Sequence, residues 1–147
     1  MQNVRFIKGS SSITRLEIHV IYKVKYCHKV FEFENFQNRC KEIFFEVARK
    51  YEFAILEIGF DGDHVHMILL IRLSQNLDKI SQLLKGTTGY QLLKEFPEIK
   101  QKYFWGSGLW SGMIYADAVG ATGKNPEIVH QYVRNQGKSN SFPFSSY

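Results

Sequence analysis

With 147 residues, 44% hydrophobic and 22% charged, the chain has enough apolar material for one core without help from disulfides or a structural metal, and it is short for two domains. Its longest purely apolar run, Met67 to Ile71, is far too short to cross a bilayer, and the start, with Arg5, Lys8 and Gly9-Ser10-Ser11-Ser12, lacks the apolar stretch and cleavage site of a secretory signal; a cytoplasmic protein without membrane contact is expected. Nineteen Lys plus Arg against 14 Asp plus Glu give a net charge of +5, and the pI of about 9.2 suits a polyanion such as nucleic acid, although an enzyme of anionic metabolites or a solvated basic surface fits the charge equally.

Leu16 to Val24 alternates as a strand, with Leu16, Ile18, Val20 and Tyr22 on one face and Glu17, His19 and Lys23 on the other. Apolar positions at Phe36, Cys40, Ile43, Val47 and Tyr51 then mark an amphipathic helix, with Arg39, Lys41, Glu42 and Glu46 outside. Cys27 and Cys40 are too few and too far apart for a CxxC pair, so both read as reduced, buried packing residues. Ala54 to Phe60 and His64 to Arg72 are strands joined by the turn chemistry of Asp61-Gly62-Asp63, hence an antiparallel hairpin.

Leu77, Ile80, Leu84 and Thr88 have helical spacing inside a segment from Asn76 to Phe96 that stops before Pro97, with Gly86 and Gly89 interrupting its middle. Trp105 to Gly112 reads as a glycine-rich loop, Met113 to Val119 as a fourth strand, and Gly120-Ala121-Thr122-Gly123 as a joint. Asn125 as N-cap, Pro126 in the first turn and Gly137 at the end frame a last helix, while the tails, residues 1–12 and 138–147, are expected to be loose. The order predicts one α+β domain with a ferredoxin-like or RNA-recognition-like, mostly antiparallel sheet, two helices on one face and the C-terminal helix on the other.

Alternation in the second hairpin strand puts His64 and His66 about 7 Å apart on one face and gives Val65, Met67, Leu69 and Ile71 to the other. Two imidazoles on a rigid strand can hold one cation. In the last helix Tyr132 and Gln136 stand four residues apart, one turn along the same face, beside an apolar stripe at Val129 and Val133. Spacing alone does not choose between Tyr132 and Tyr115, and it pairs neither His19 nor His130 with another ligand.

The His-hydrophobic-His motif His64-Val65-His66 and the segment Tyr132-Val133-Arg134-Asn135-Gln136 together resemble single-tyrosine HUH-superfamily transposases of small bacterial and archaeal insertion sequences. The likeness continues through His19 to Tyr26, Leu84 to Thr88, Glu95 to Lys100 and Leu109-Trp110-Ser111, and departs after Tyr26, where Cys27-His28-Lys29 replaces consecutive arginines. The resemblance implies that His64, His66 and Gln136 hold a divalent metal, Mg2+ or Mn2+, and that Tyr132 attacks a phosphate of single-stranded DNA to form a 5′-phosphotyrosine, so that DNA hairpins at the ends of the element are cut and rejoined. It further implies a homodimer with active sites shared between subunits, the joint at Gly120 and Gly123 letting the tyrosine helix change partner. Lys23, Lys25, Lys29 and Lys85 are expected phosphate contacts. Asp61 either supports the metal site or only forms the turn. The competing readings are a non-catalytic single-stranded nucleic-acid-binding module displaying Tyr22, Tyr26 and Trp110, a zinc hydrolase, and a domesticated relative that processes repeat hairpins.

Overall fold

The computed structural model describes residues 7–8, 13–14, 16–120 and 125–137. Its centre is a four-stranded antiparallel sheet of β1 (Leu16–Val24), β2 (Ala54–Asp61), β3 (His64–Ile71) and β4 (Trp110–Ala118), in the spatial order β2-β3-β1-β4. Helices α1 (Glu34–Lys50) and α2 (Leu77–Glu95) complete a βαββαβ path, followed by α4 (Pro126–Arg134). This is the ferredoxin-like order expected from the chain. A two-residue pairing of Ile7–Lys8 with Ile13–Thr14 lies outside this sheet. The rest of the expected tails and most of the joint after Gly120 fall outside the described residues.

The strands bury different residues on their two faces because successive side chains alternate. On the first face Val20, Tyr22, Val24, Ile55, Val65, Met67 and Leu69 pack with Phe36, Cys40, Ile43 and Phe44 of α1 and with Ile80, Leu84 and Leu92 of α2. On the second face Ala54, Leu56, Ile68 and Leu70 meet Val129 and Val133 of α4, a much smaller cluster. A register shift between Ile55 and Glu57 opposite β3 allows the run Ala54–Phe60 to feed both faces. Ile55 and Ile58 join the first cluster, Leu56 the second.

The sequence expectations hold closely for β1, α1 and the β2–β3 hairpin, whose register Asp61↔His64 leaves Gly62-Asp63 as its turn. Three differences have physical reasons. Pro97 does not merely end a helix but opens another, α3 (Pro97–Tyr103), because proline lacks only an N–H that a first helical turn leaves unsatisfied. β4 begins at Trp110 rather than Met113, since Val24 pairs with Trp110 past a second register irregularity. Cys40 is fully buried as expected, and burial pushes its thiol pKa up, but Cys27 is exposed.

Tyr22 is fully buried and its hydroxyl lies 2.7 Å from Ser81 Oγ, so it offers no stacking surface. Trp110 is half-buried, with its indole N–H donating to Thr88 Oγ1 at 2.9 Å. Only Tyr26 of the three aromatics named above is well exposed.

Because Leu84 is wholly buried between α2 and the sheet, Leu84→Ala is expected to cost about 2–5 kcal/mol in urea unfolding; a loss under about 1 kcal/mol would mean that the first cluster repacks around the void.

Candidate active site

The predicted metal-binding and nucleophile side chains reach one cavity of about 190 Å3, lined by His64 and His66 of β3, Tyr132 of α4, Gln136 just beyond it, Asp61 and Asp63 of the hairpin end, and Lys23 and Tyr115. The His64 and His66 rings are 4.9 Å apart between centroids, and Tyr132 stands edge-on to His66 at 5.2 Å. The hairpin holds its histidine from both sides: Val24 N–H donates to Asp63 O at 2.8 Å and Phe31 N–H to Gly62 O at 3.0 Å. Two residues that sequence spacing left aside belong here. Asp63 Oδ1 lies 2.7 Å from His64 Nδ1, and His19 Nε2 lies 3.0 Å from His66 Nδ1, with the two rings stacked. His19 is found only through strand pairing, which sets Ile21 opposite His66 and brings the neighbouring outward position alongside.

What brings α4 down onto the histidines is the absence of a side chain beneath it. A Cβ on Gly59 would overlap the Val133 carbonyl and come within 2.8 Å of Gln136 Cβ. Gly137, with φ +84°, turns the chain past Phe60, whose carbonyl a Cβ there would also strike. At its other end α4 starts on Asn125, whose Oδ1 accepts the Glu127 N–H at 2.9 Å.

A polar cluster beside the apolar one fixes the helix. Buried His130 sits between two carboxylates, Nε2 at 2.6 Å from Glu17 Oε1 and Nδ1 at 3.0 Å from Glu57 Oε2. Arg134 closes it, with Nη2 at 2.6 Å and Nε at 3.0 Å from the two Glu57 oxygens. Burial alone would raise the Glu57 pKa, yet Arg134 and His130 outweigh burial and hold its carboxyl below its ordinary value. His130 thus serves the tyrosine helix rather than the reacting groups.

The donor set fits a small divalent cation. Asp63 and His19 occupy the Nδ1 atoms of His64 and His66, which leaves both Nε2 atoms as candidate ligands. Gln136 directs its amide nitrogen to Asp61 Oδ2 at 3.5 Å, and its carbonyl Oε1 is buried without a hydrogen-bond partner. A lone buried carbonyl is costly unless something accepts its electron pair. Among the described residues no group of three or more His, Cys, Asp or Glu side chains could hold a metal, and the Gln136 amide oxygen is a further donor beside the two imidazoles. Asp61 therefore has a place beside the site, orienting Gln136, as well as capping its turn at Gly62 N–H. Burial first, then the proximity of His64 and His66's other neighbour His19, lowers His66 to about 2, so its ring is neutral and keeps a lone pair for a ligand.

The pKa of Tyr132 is raised, by burial first and then by the charge of Asp61. The isolated phenol is thus a weaker nucleophile than free tyrosine at neutral pH, and positive charge in the cavity would reverse the effect.

The expected phosphate contacts scatter. Lys23 lines the cavity. Lys25 lies over the Tyr26 ring at 5.8 Å, Lys29 packs by the Gly62 turn, and Lys85 donates from Nζ to Ser111 O at 2.7 Å, on the helical side of the sheet. His28, in the segment after Tyr26 where the resemblance departs, packs at 5.0 Å from Tyr103 and 5.5 Å from Phe104.

The family model described as "Transposase IS200 like" matches residues 12–136. The chain belongs to this family. Among its relatives, the ISDra2 transposase TnpA of Deinococcus radiodurans is 30% identical over 104 residues, spanning 71% of this chain and 73% of that one. The transposase for insertion sequence element IS200 of Salmonella typhimurium is 28% identical over 122 residues, 80% of this chain and 74% of that one. A crystal structure of a presumed transposase from Deinococcus radiodurans R1 superposes with a TM-score of 0.71 at 25% identity, over 90% of this chain and all but 1% of the other. A REP-associated tyrosine transposase bound to a REP hairpin shares the fold, with a TM-score of 0.55 at 13% identity over 90% of this chain and 68% of that one.

Two outcomes test how α4 is held. Gly59→Ala is expected to lift its C-terminal end, so that amides from Val129 to Gln136 lose protection from hydrogen exchange while β1 and β3 keep theirs; unchanged protection would show that docking tolerates a methyl group there. A carboxyl with a lowered folded pKa contributes fully above its ordinary value, about 4.3, and loses that contribution as pH falls through the folded value. Protection of α4 amides, corrected for intrinsic exchange, should therefore drop below about pH 4 and should lose that dependence in Glu57→Gln.

Proposed function

We propose that this transposase cleaves and rejoins single-stranded DNA at the hairpin ends of an insertion sequence, with Tyr132 as nucleophile and His64, His66 and Gln136 holding a divalent metal, Mg2+ or Mn2+. The observation that carries the reading is the meeting, in one cavity, of the Tyr132 phenol with two imidazoles and an unpartnered buried amide oxygen. When bound, the cation polarises the scissile phosphate and favours the phenolate over the phenol.

Tyr132 Oη then forms a bond to phosphorus as the bond from phosphorus to the 3′ oxygen breaks. The phenolic proton passes to solvent and the departing 3′ oxygen takes one up, leaving a 5′-phosphotyrosine and a free 3′ hydroxyl. The ester conserves the phosphodiester energy, so another 3′ hydroxyl can reverse the step without ATP. Asp63 and His19 keep the two imidazoles oriented throughout, and Asp61 keeps the Gln136 amide from turning over. Lys23, on the cavity wall, suits the entering phosphate, with Lys25, Lys29 and Lys85 as outlying contacts for the rest of the strand.

A homodimer accords with this reading. β4 lies at the border of the sheet, paired on one side to β1, and exposes Met113 and Tyr115. A second copy alongside β4 would cover these side chains. No helix among the described residues is long and apolar enough to cross a membrane.

The deciding experiment incubates the protein with end-labelled single-stranded hairpin DNA from its own genomic flanks and Mg2+ or Mn2+, on a denaturing gel. A covalent protein–DNA band that requires metal and disappears in Tyr132→Phe is expected, with Tyr115→Phe retaining it. Binding without covalent product across metals and flanking sequences would favour the non-catalytic nucleic-acid-binding reading instead.

A further inference from the structure

Beside the catalytic cavity, and sharing no lining residue with it, the cluster of Glu17, Glu57, His130 and Arg134 occupies the second face of the sheet, with its imidazole and both carboxylates buried. Hydrogen-bond accounting constrains its protons. A neutral imidazole carries one N–H and its other nitrogen only accepts, and an ionised carboxylate only accepts as well. Yet both His130 nitrogens face carboxylate oxygens, Nε2 toward Glu17 Oε1 at 2.6 Å and Nδ1 toward Glu57 Oε2 at 3.0 Å. Arg134 grips both Glu57 oxygens, at 2.6 Å and 3.0 Å, which keeps that carboxylate ionised. A ring protonated at both nitrogens donates to each carboxylate, and the four side chains then carry two charges of each sign, the pairing that buried charge requires. A neutral ring would turn a lone pair on one of the two.

The placement of these bonds gives the charge a use. In the order β2-β3-β1-β4, Glu57 on β2 and Glu17 on β1 flank β3, the strand that carries His64 and His66. Between them β3 presents Ile68, which pairs with Glu57 on one side and with His19 on the other. His130 therefore straddles the histidine strand, bonded to the strand on either side of it, and centres α4 above it. Two residues on, roughly 200° around the helix, Tyr132 leaves from a different side and stands edge-on to His66 at 5.2 Å. Among the described residues, the other titratable groups that face this stretch are His19, whose ring lies 6.3 Å from that of Tyr132, Asp117 opposite His19 on β4, and Glu127, one turn before His130.

We propose that His130 is a positioning residue that works as an imidazolium: charged between Glu17 and Glu57, it centres α4 over β3 and thereby sets the Tyr132 phenol against His66. The inference rests on the reading of Tyr132 as the nucleophile. Its consequence is a dependence on pH. A group bound in its protonated form contributes at low pH and loses that contribution as pH rises through the value at which the folded protein releases the proton. Whichever nitrogen gives it up then opposes a carboxylate, and α4 keeps an anchor on only one side of β3. Docking of α4 accordingly weakens at the alkaline end, the sense opposite to the acid loss that follows from Glu57.

The test uses the full chain and two substitutions, His130→Gln, which can hydrogen-bond but carries no charge, and His130→Lys, which keeps a cation whose ordinary pKa is about 10.4. Long-range 1H–15N spectra near neutral pH, without DNA or metal, should show both His130 ring nitrogens protonated; the unequal pair of a neutral tautomer would overturn the proposal. Protection of α4 amides, corrected for intrinsic exchange, should fall in the wild type over the pH range in which those ring signals titrate. It should be about tenfold or more lower in His130→Gln near neutral pH, in line with a lost bond to a charged group, and flat with rising pH in both variants. Amides of β1 and β3 should keep their protection; if His130→Gln does not fold, Glu17→Gln takes its place with the same expected loss in α4. Covalent capture of hairpin DNA at saturating strand and metal should slow about tenfold in His130→Gln and recover to within about threefold of wild type in His130→Lys, with DNA affinity unchanged. Equal losses in the two variants would show that ring shape and not charge is at work, and would overturn the proposal, as would wild-type protection that ignores the titration of the ring. No covalent product in any variant would count against Tyr132 as nucleophile, while the ring spectra and the exchange data still decide the role of His130.

Discussion

The tyrosine helix can meet the histidine pair only because the strand beneath it carries no side chain at Gly59. An α-helix normally stands off a sheet by the length of the side chains between them. Here the Val133 carbonyl and Gln136 Cβ come down onto bare backbone, and the last turn of α4 tips toward the His64 end of β3. Tyr132, Gln136 and the turn at Gly137 all follow from that approach. The neighbouring polar cluster of Glu17, His130, Glu57 and Arg134 has directional bonds, which fix the rotation of the helix about its own axis in a way that the few apolar contacts of Val129 and Val133 cannot.

The two faces of the sheet therefore differ in how firmly they are held. The first is a large aromatic and aliphatic core under two long helices. The second is a short helix that packs Val129 and Val133 on four buried strand residues, plus charged groups. Local opening draws on the less firmly packed parts of a structure, and α4 is such a part. A short helix held largely by polar bonds can open locally without disturbing the sheet, whose own hydrogen bonds and first-face core do not involve it.

Much of this was legible in the sequence because period and punctuation agree locally. Alternation in Leu16–Val24 and at the start of His64–Ile71 defined both strands and put His64 and His66 on the face opposite Met67 and Leu69. Asn125 and Pro126 framed the start of α4 because capping is decided by a few neighbouring residues, while its end falls at Arg134, short of the expected Gly137, which leaves Gln136 beyond the helix. What could not be read was anything set by contacts between distant segments. His19 joins the site through strand pairing 47 residues away, and His130 bridges Glu17 and Glu57 from 113 and 73 residues distant. Neither leaves a spacing signal. Lysines were named by type, and type is silent about whether an ammonium faces a cavity, as Lys23 does, or a carbonyl, as Lys85 does.

The alternation along β3 has a further consequence for how such a protein can change over time. Residues that keep the sheet folded and residues that line the cavity sit on opposite sides of one strand, so a substitution in the first set can be compensated among its own neighbours in α1 and α2 without moving a histidine. Drift in the core and retention of the chemistry are thereby uncoupled within eight consecutive residues. A lineage built this way can lose most of its sequence likeness while its backbone still superposes, as the TM-score of 0.71 at 25% identity illustrates.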